Sequence, residues 1–206
     1  SPRHESTLGE LVMSYSKTPL NFEPGSKWSY SNAGINTLGR IVEVVSKIPF
    51  AKFLQKRVLD PCDMKDTTFW PTPAQAKRVA KSYRPDKKGE LQQVEVRFLA
   101  GGISNRKRTP YPAGGLYSTA GDVTRFYQMM LSGGTYNGKR VLRKETAALM
   151  TQTQTGDIKT GFVEGMSWGL GFQVVKKPMG VTETLSAGTY GHGGAYATQS
   201  WADPKK

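Results

Sequence analysis

The apolar residues of this chain follow two rhythms: a helical one in several separate stretches, and an extended one gathered toward the end. Leu8, Leu11, Val12 and Tyr15 recur at three- and four-residue intervals behind Thr7 and Glu10, a capping-box pair, and predict a short helix. Ile35, Leu38, Ile41, Val42 and Val45 form a longer stripe and predict a helix over residues 34–46, with Ser31 or Asn32 as its N-cap. Pro49 opens a further turn or two of helix carrying Phe50, Phe53 and Leu54. Residues 118–122 cap a helix bearing Val123, Phe126, Tyr127, Met130 and Leu131, which stops at Gly133-Gly134. Asn137-Gly138 reads as a tight hairpin turn, with residues 144–151 helical after it. Trp168, Leu170, Phe172 and Val174 alternate as a half-buried strand does, and residues 190–204 are also extended. Residues 60–112, rich in Pro, Lys and Arg, show little periodicity and read as a long excursion with short elements. The order is that of an α/β or α+β fold with its strands at the end.

Composition narrows the classes. At 206 residues and 37% hydrophobic, with aromatic side chains throughout, the chain is a folded globular protein rather than a disordered one. No run approaches the roughly eighteen apolar residues of a membrane helix, and no signal-peptide pattern is present, so no membrane segment is expected. Cys62 is alone, which excludes an internal disulfide. With only His4, His192 and Cys62 as nitrogen and sulfur ligands, no metal site and no cofactor is expected. The net charge of +13 raises nucleic acid as a partner, but the excess is spread along the chain with a modest peak between Lys77 and Arg108. No helix-turn-helix, RNP or zinc-finger pattern accompanies it, so it reads as a solvated basic surface and nucleic acid is not an expected partner. The chain opens at Ser1 without Met and stops at Lys205-Lys206 directly after a strand-like run, so both ends read as cut.

Several patterns bear on chemistry. A literal G-x-S-x-G occurs at Gly165-Met166-Ser167-Trp168-Gly169, with Glu183 and His192 following in triad order. A nucleophile elbow needs a strand before the serine and a helix after it, whereas the residues after Ser167 alternate as a strand; the match reads as a decoy. S-x-x-K, in which a lysine one turn after a serine helps deprotonate it, occurs at Ser14…Lys17 and Ser104…Lys107. With 15 Ser and 18 Lys, chance supplies roughly one such pair, so neither match identifies a nucleophile. The remaining pattern is EPGSKWSYSNAG, residues 23–34. Helix capping explains its serine or asparagine but not Tyr30.

FEPGSKWSYSN (22–32), PAGGLYSTAGDVTRF (112–126), SWGLGFQV (167–174) and GHGGAYATQSWADP (191–204), in that order, resemble the β-lactamase-related serine hydrolases. That family comprises class C β-lactamases, D-alanyl-D-alanine carboxypeptidases and family VIII-type esterases on one fold. The resemblance implies a β-lactamase/transpeptidase-like α/β (α+β) fold, an antiparallel sheet flanked by helices. Residues 1–206 would then be part of one such domain, incomplete at both ends, with a helical, loop-rich region at 31–112 and a helix plus strands at 113–206. Tyr30-Ser31-Asn32 looks like the family's Tyr-x-Asn element, and His192-Gly193-Gly194 like its Lys-Thr-Gly or His-x-Gly strand. The implied roles follow. Tyr30 is general base and then proton donor, and Asn32 orients the substrate and the catalytic lysine. Gly193 and Gly194 let substrate lie along the strand, and the Ala195 N–H is half of the oxyanion hole.

Two departures qualify these roles. His192 stands where β-lactamases usually carry lysine, and Gly193 where they carry threonine, so a permanent cation that would grip a carboxylate is missing. This favours an esterase or another hydrolase of relaxed specificity over a β-lactamase or D-Ala peptidase. The family's catalytic S-x-x-K lies well upstream of Tyr-x-Asn, and Ser14…Lys17 is too close to Tyr30 to be it. The nucleophile is therefore unassigned, with Ser14, Lys17, Ser104 and Ser167 as weak candidates, and the chain alone is expected to be inactive. The family sheet joins its first strands to its last, so sheet edges and an apolar face should be uncovered, met by a complementing chain or a homo-oligomer. The family is often periplasmic or secreted, but the compartment is not readable here. The competing class is a non-catalytic relative that binds a peptide or cell-wall fragment.

Overall fold

Helix α1 (Leu8–Tyr15) begins where its capping pair predicts. Thr7 Oγ1 accepts from the Glu10 N–H at 3.1 Å, and the Glu10 carboxylate accepts from the Thr7 N–H at 2.8 Å. That return bond also holds the Glu10 carboxyl below its ordinary range. The computed structural model describes residues 5–96 and 102–206; His4 lies outside them. The chain forms two compact units, one of Ser1–Pro19, Ser31–Leu59 and Lys65–Thr119, the other of Leu20–Tyr30, Asp60–Met64 and Ala120–Lys206.

In the first unit, α2 (Asn32–Ser46) starts on Ser31, whose hydroxyl accepts from the Gly34 N–H at 3.2 Å. It ends at Lys47, in the left-handed conformation with φ 58°, whose N–H donates to the Glu43 carbonyl. The packed face of α2 is not the apolar stripe. Its buried residues are Asn36 and Gly39. A Cβ on Gly39 would lie 2.2 Å from Pro112 Cγ and 3.4 Å from Leu8 Cδ2, so the helix backbone itself is the contact surface. Asn36 donates to the Tyr15 hydroxyl at 3.1 Å and accepts from the Ala113 N–H at 3.1 Å. Leu38, Ile41 and Val45 stand 57%, 51% and 78% exposed. Helix α3 (Phe50–Leu54) follows Pro49 and passes into one π turn, Gln55–Leu59. The expected excursion contains α4 (Pro73–Ala76), capped by Thr72, and the hairpin of β1 (Ser82–Pro85) with β2 (Leu91–Val94).

In the second unit, α5 (Ala120–Leu131) buries Tyr127, Met129 and Met130. The Tyr127 ring lies 6.2 Å from Phe172 and 6.1 Å from Tyr190, and its hydroxyl donates to the Ser200 carbonyl at 3.0 Å. Burial pushes the Tyr127 phenol up and the Tyr190 phenol to about 12. Strands β3 (Thr135–Tyr136) and β4 (Lys139–Arg140) join through Asn137-Gly138, both at positive φ as a primed turn needs, and α6 (Lys144–Thr151) comes next.

The last four strands, β5 (Met166–Trp168), β6 (Gln173–Val175), β7 (Tyr190–Gly193) and β8 (Gln199–Ala202), form one antiparallel sheet in that order. The alternation from Trp168 to Val174 is therefore two strands rather than the single one expected. The Gly169 N–H closes on the Phe172 carbonyl at 2.9 Å and Gly171 takes φ 89°, which reverses the chain. Phe172 is buried on that turn, so the hydrophobic alternation runs through the reversal without marking it. After β8, Asp203 accepts from the Ser186 N–H at 3.1 Å and the Lys205 N–H at 3.0 Å. Burial alone would raise its carboxyl, but these donors outweigh it and hold it at about 2.

Candidate active site

Tyr30 ends the Leu20–Tyr30 segment of the second unit, and three sequence-distant parts of that unit meet its ring. Phe162 lies edge-on at 5.4 Å, Trp168 at the end of β5 lies at 5.9 Å, and His192 on β7 lies at 6.1 Å. Trp168 also meets the His192 imidazole edge-to-face at 5.4 Å. Trp28 stacks on Trp168 at 5.5 Å and takes the edge of Phe162 at 5.7 Å. The cluster is open, with Tyr30 44% and Phe162 66% exposed. Its chemistry is apolar rings around one phenol and one imidazole.

Phe162 holds φ 78°, a left-handed backbone that a bulky residue adopts only at a cost on the order of 1 kcal/mol or more. Its loop is fixed on both sides. The Thr160 hydroxyl donates to the Met166 carbonyl at 3.0 Å, and a Cβ on Gly161 would lie 2.9 Å from Trp28 Cζ3.

The strand that carries His192 runs past its neighbour. The β6–β7 pairing ends at Gln173 opposite Gly191, because residues 169–172 have already turned away. On the other side β8 stays paired as far as Gly193 opposite Gln199, and the Gly194 N–H donates to the Thr198 carbonyl at 2.8 Å. Antiparallel ladders alternate the edge to which successive residues bond, so Gly193 turns its main chain to the edge that β6 leaves open. Gly191 has a packing reason to be glycine, since a Cβ there would lie 2.1 Å from the Ser200 carbonyl oxygen. The His192 Nδ1 hydrogen-bonds the carbonyl oxygen of Gly193. Gly194 and Ala195 follow in the turn toward β8.

The structure thus brings Tyr30 together with His192 and the strand that continues into Gly193. Asn32 is the first residue of α2 and is exposed, in the first unit. Ser14, Lys17 and Ser104 also belong to the first unit. The Ser14 hydroxyl donates to the Leu11 carbonyl at 2.6 Å, and α1 ends at Tyr15, so Lys17 lies beyond the helical turn that S-x-x-K needs. The Ser104 hydroxyl donates to the Pro71 carbonyl at 2.7 Å in a segment of turns. Ser167 is 2% exposed, its hydroxyl donates to the Val174 carbonyl at 3.3 Å, and it sits mid-strand next to Trp168. Adjacent strand residues point to opposite faces, so Ser167 is turned away from the face where Trp168 meets Tyr30 and His192.

Both glycines of the G-x-S-x-G match have other reasons to be there. The Gly165 carbonyl accepts from both the Lys176 and Lys177 N–H groups, as in a bulge, at φ 78°. A Cβ on Gly169 would lie 2.1 Å from the Met150 carbonyl oxygen. Among the described residues no three His, Cys, Asp or Glu side chains group to hold a metal ion, and no helix is long and apolar enough to cross a membrane.

A family model described as Beta-lactamase matches residues 2–206. The chain belongs to the Beta-lactamase family. An uncharacterized protein of Mycobacterium tuberculosis is 32% identical over 201 residues, covering 90% of this chain and 48% of its own length. Among solved structures, EstCE1, titled a hydrolase with promiscuous acyltransferase activity, is similar with a TM-score of 0.77 at 23% identity, over 97% of this chain and 54% of that one. The octameric penicillin-binding protein homologue from Pyrococcus abyssi has a TM-score of 0.70 at 21% identity, over 98% of this chain and 42% of that one. These two likenesses show a β-lactamase/transpeptidase-type α/β fold. The chain spans about half the length of the curated relatives it matches.

The aromatic surround of Tyr30 was not read from the sequence. Trp28 and Trp168 lie inside two of the segments that carry the family resemblance, which is a signal that was available. Phe162 lies in none of those segments, and only its backbone conformation singles it out.

Proposed function

We propose that this chain supplies the base and the oxyanion strand of a serine hydrolase that cleaves an ester or amide through an acyl-enzyme. The observation that carries this reading is the meeting of Tyr30, 44% exposed, with His192 at 6.1 Å, on a strand that runs past the end of its pairing with β6. In this reading Tyr30 takes the proton of the nucleophilic serine and returns it to the leaving group. Asn32 orients the substrate carbonyl or amide. Gly193 and Gly194, with no Cβ to block it, let the substrate lie close along the strand edge, and the Ala195 N–H stabilises the developing oxyanion. In this reading the nucleophile is none of Ser14, Ser104 and Ser167; their hydroxyls hydrogen-bond backbone carbonyls, which supports setting them aside. It comes from an S-x-x-K helix in polypeptide beyond these residues, and these residues alone are inactive.

Carboxylic esters are the favoured substrates, ahead of β-lactams and D-Ala peptides. His192 replaces the lysine that would grip a carboxylate. Tyr30→Phe in the complete protein that carries this chain keeps the ring and removes the proton acceptor. It should lower kcat for p-nitrophenyl butyrate by about 10²- to 10⁴-fold with KM little changed. Turnover that survives the substitution within about threefold would remove Tyr30 as base. A complete protein that binds peptide or cell-wall fragments but hydrolyses no ester, lactam or peptide would establish the non-catalytic alternative.

A further inference from the structure

We infer that Arg108 and Tyr117, in the first unit, form a buried binding site for a small monovalent anion of the halide type, chloride above all. The inference is independent of the Tyr30–His192 reading and concerns none of its residues.

Arg108 is 1% exposed, and a guanidinium keeps its charge at any ordinary pH. Its Nη2 donates to the Phe69 carbonyl oxygen. Nε and Nη1 have no hydrogen-bond partner, so the Nε–H and both N–H groups of Nη1 are left without an acceptor. The guanidinium lies over the Tyr117 ring, 5.5 Å from its centroid, and the hydroxyl of that ring is also buried without a partner. Burial pulls the Arg108 guanidinium below its usual range, against the opposing influence of the Tyr117 and Tyr111 phenols. A buried charge left unpaired is among the most costly features a fold can keep, and among the described residues no carboxylate pairs with this one.

The residue is also held where it is. The Trp70 Nε1–H donates to the Arg108 carbonyl at 2.9 Å, and the Arg108 N–H donates to the Asn105 carbonyl at 3.0 Å. Tyr117 is fixed as firmly, exchanging backbone hydrogen bonds of 2.8 Å and 3.0 Å with Thr68. What the site lacks is negative charge as well as acceptors. A water would accept from the orphaned N–H groups but leave the charge uncompensated. Guanidinium N–H and phenolic O–H are all donors, and one spherical anion can accept from them together. The residues that hold Arg108, Phe69 and Trp70, are aromatic, and such a surround admits a weakly hydrated monovalent ion more readily than a divalent oxyanion. Arg106, over the Trp70 ring at 5.6 Å, adds to the positive potential.

Thermal unfolding of the complete protein that carries this chain, in sodium chloride or bromide against sodium gluconate at equal ionic strength, reads the site in solution. The midpoint should rise saturably with halide, by about 2–5 °C once the halide reaches about a hundred times its Kd. Arg108→Met should abolish the difference between halide and gluconate. Tyr117→Phe keeps the ring under the guanidinium and so keeps the test alive where Arg108→Met does not fold. It should weaken halide binding by about threefold to tenfold. Equal midpoints in chloride and gluconate, or an unchanged Kd in Tyr117→Phe, overturn the inference.

The direct view is a crystal of the complete protein soaked in bromide, with data collected at the bromine absorption edge. An anomalous peak should stand within hydrogen-bonding distance of Arg108 Nε or Nη1. A water there, or a carboxylate from polypeptide outside these residues, overturns the inference. A bromide peak without any halide effect on the unfolding midpoint is an adventitious ion only and overturns it too. None of these results touches the hydrolase reading, which stands or falls on Tyr30.

Discussion

In α5 the large apolar side chains are the packed ones: Met129 is fully buried, and Tyr127 and Met130 are nearly so. In α2 the relation is inverted. The buried positions are a glycine and an asparagine, while Leu38, Ile41 and Val45 face outward. Both helices show a clear helical stripe in the sequence. A stripe says which residues share a face, and it says nothing about whether a partner meets that face. The Phe172 and Tyr190 rings and the Ser200 backbone meet the packed face of α5. The packed face of α2 is defined by what comes close to its backbone: Pro112 and Leu8 against Gly39, and Tyr15 and Ala113 bonded to Asn36.

Substitutions in the two helices should separate accordingly. Met129→Ala in α5 removes a fully buried side chain and should cost about 2–5 kcal/mol in denaturant unfolding. Asn36→Ala in α2 strands the Ala113 N–H and the Tyr15 hydroxyl and should cost about 1–3 kcal/mol, despite the smaller change in apolar area. Val45→Ala, on the outward stripe of α2, should change stability by less than about 0.5 kcal/mol. A Val45→Ala cost approaching that of Met129→Ala would mean the stripe is covered in the folded protein, and the contrast between the helices would fail.

What the sequence made legible was what depends on neighbours a few residues away. The Thr7–Glu10 capping box, the Asn137-Gly138 turn and the limits of α6 all appear as expected, because each is decided within a single turn of chain. The hairpin between Trp168 and Val174 was hidden, since a buried Phe172 on the turn preserved the alternation of a single strand. The site divides in the same way. Tyr30 stood out because capping could not account for it, and the Gly-rich strand after His192 was visible as a motif. That Phe162 and Trp168 lie against Tyr30 depends on residues more than a hundred positions apart, which no local pattern encodes. The G-x-S-x-G match shows the reverse case. Its spacing is right, but a bulge at Gly165 and the close approach of Met150 to Gly169 explain both glycines.

The central claim is that Tyr30 and His192 serve a nucleophile that is none of the serines matching a catalytic pattern here. Incubation of the complete protein with a fluorophosphonate, followed by intact mass and peptide mapping, tests it most directly. The account predicts a single adduct on a serine of an S-x-x-K sequence outside these residues, with Ser14, Ser104 and Ser167 unlabelled. An adduct on Ser14, Ser104 or Ser167 would contradict it.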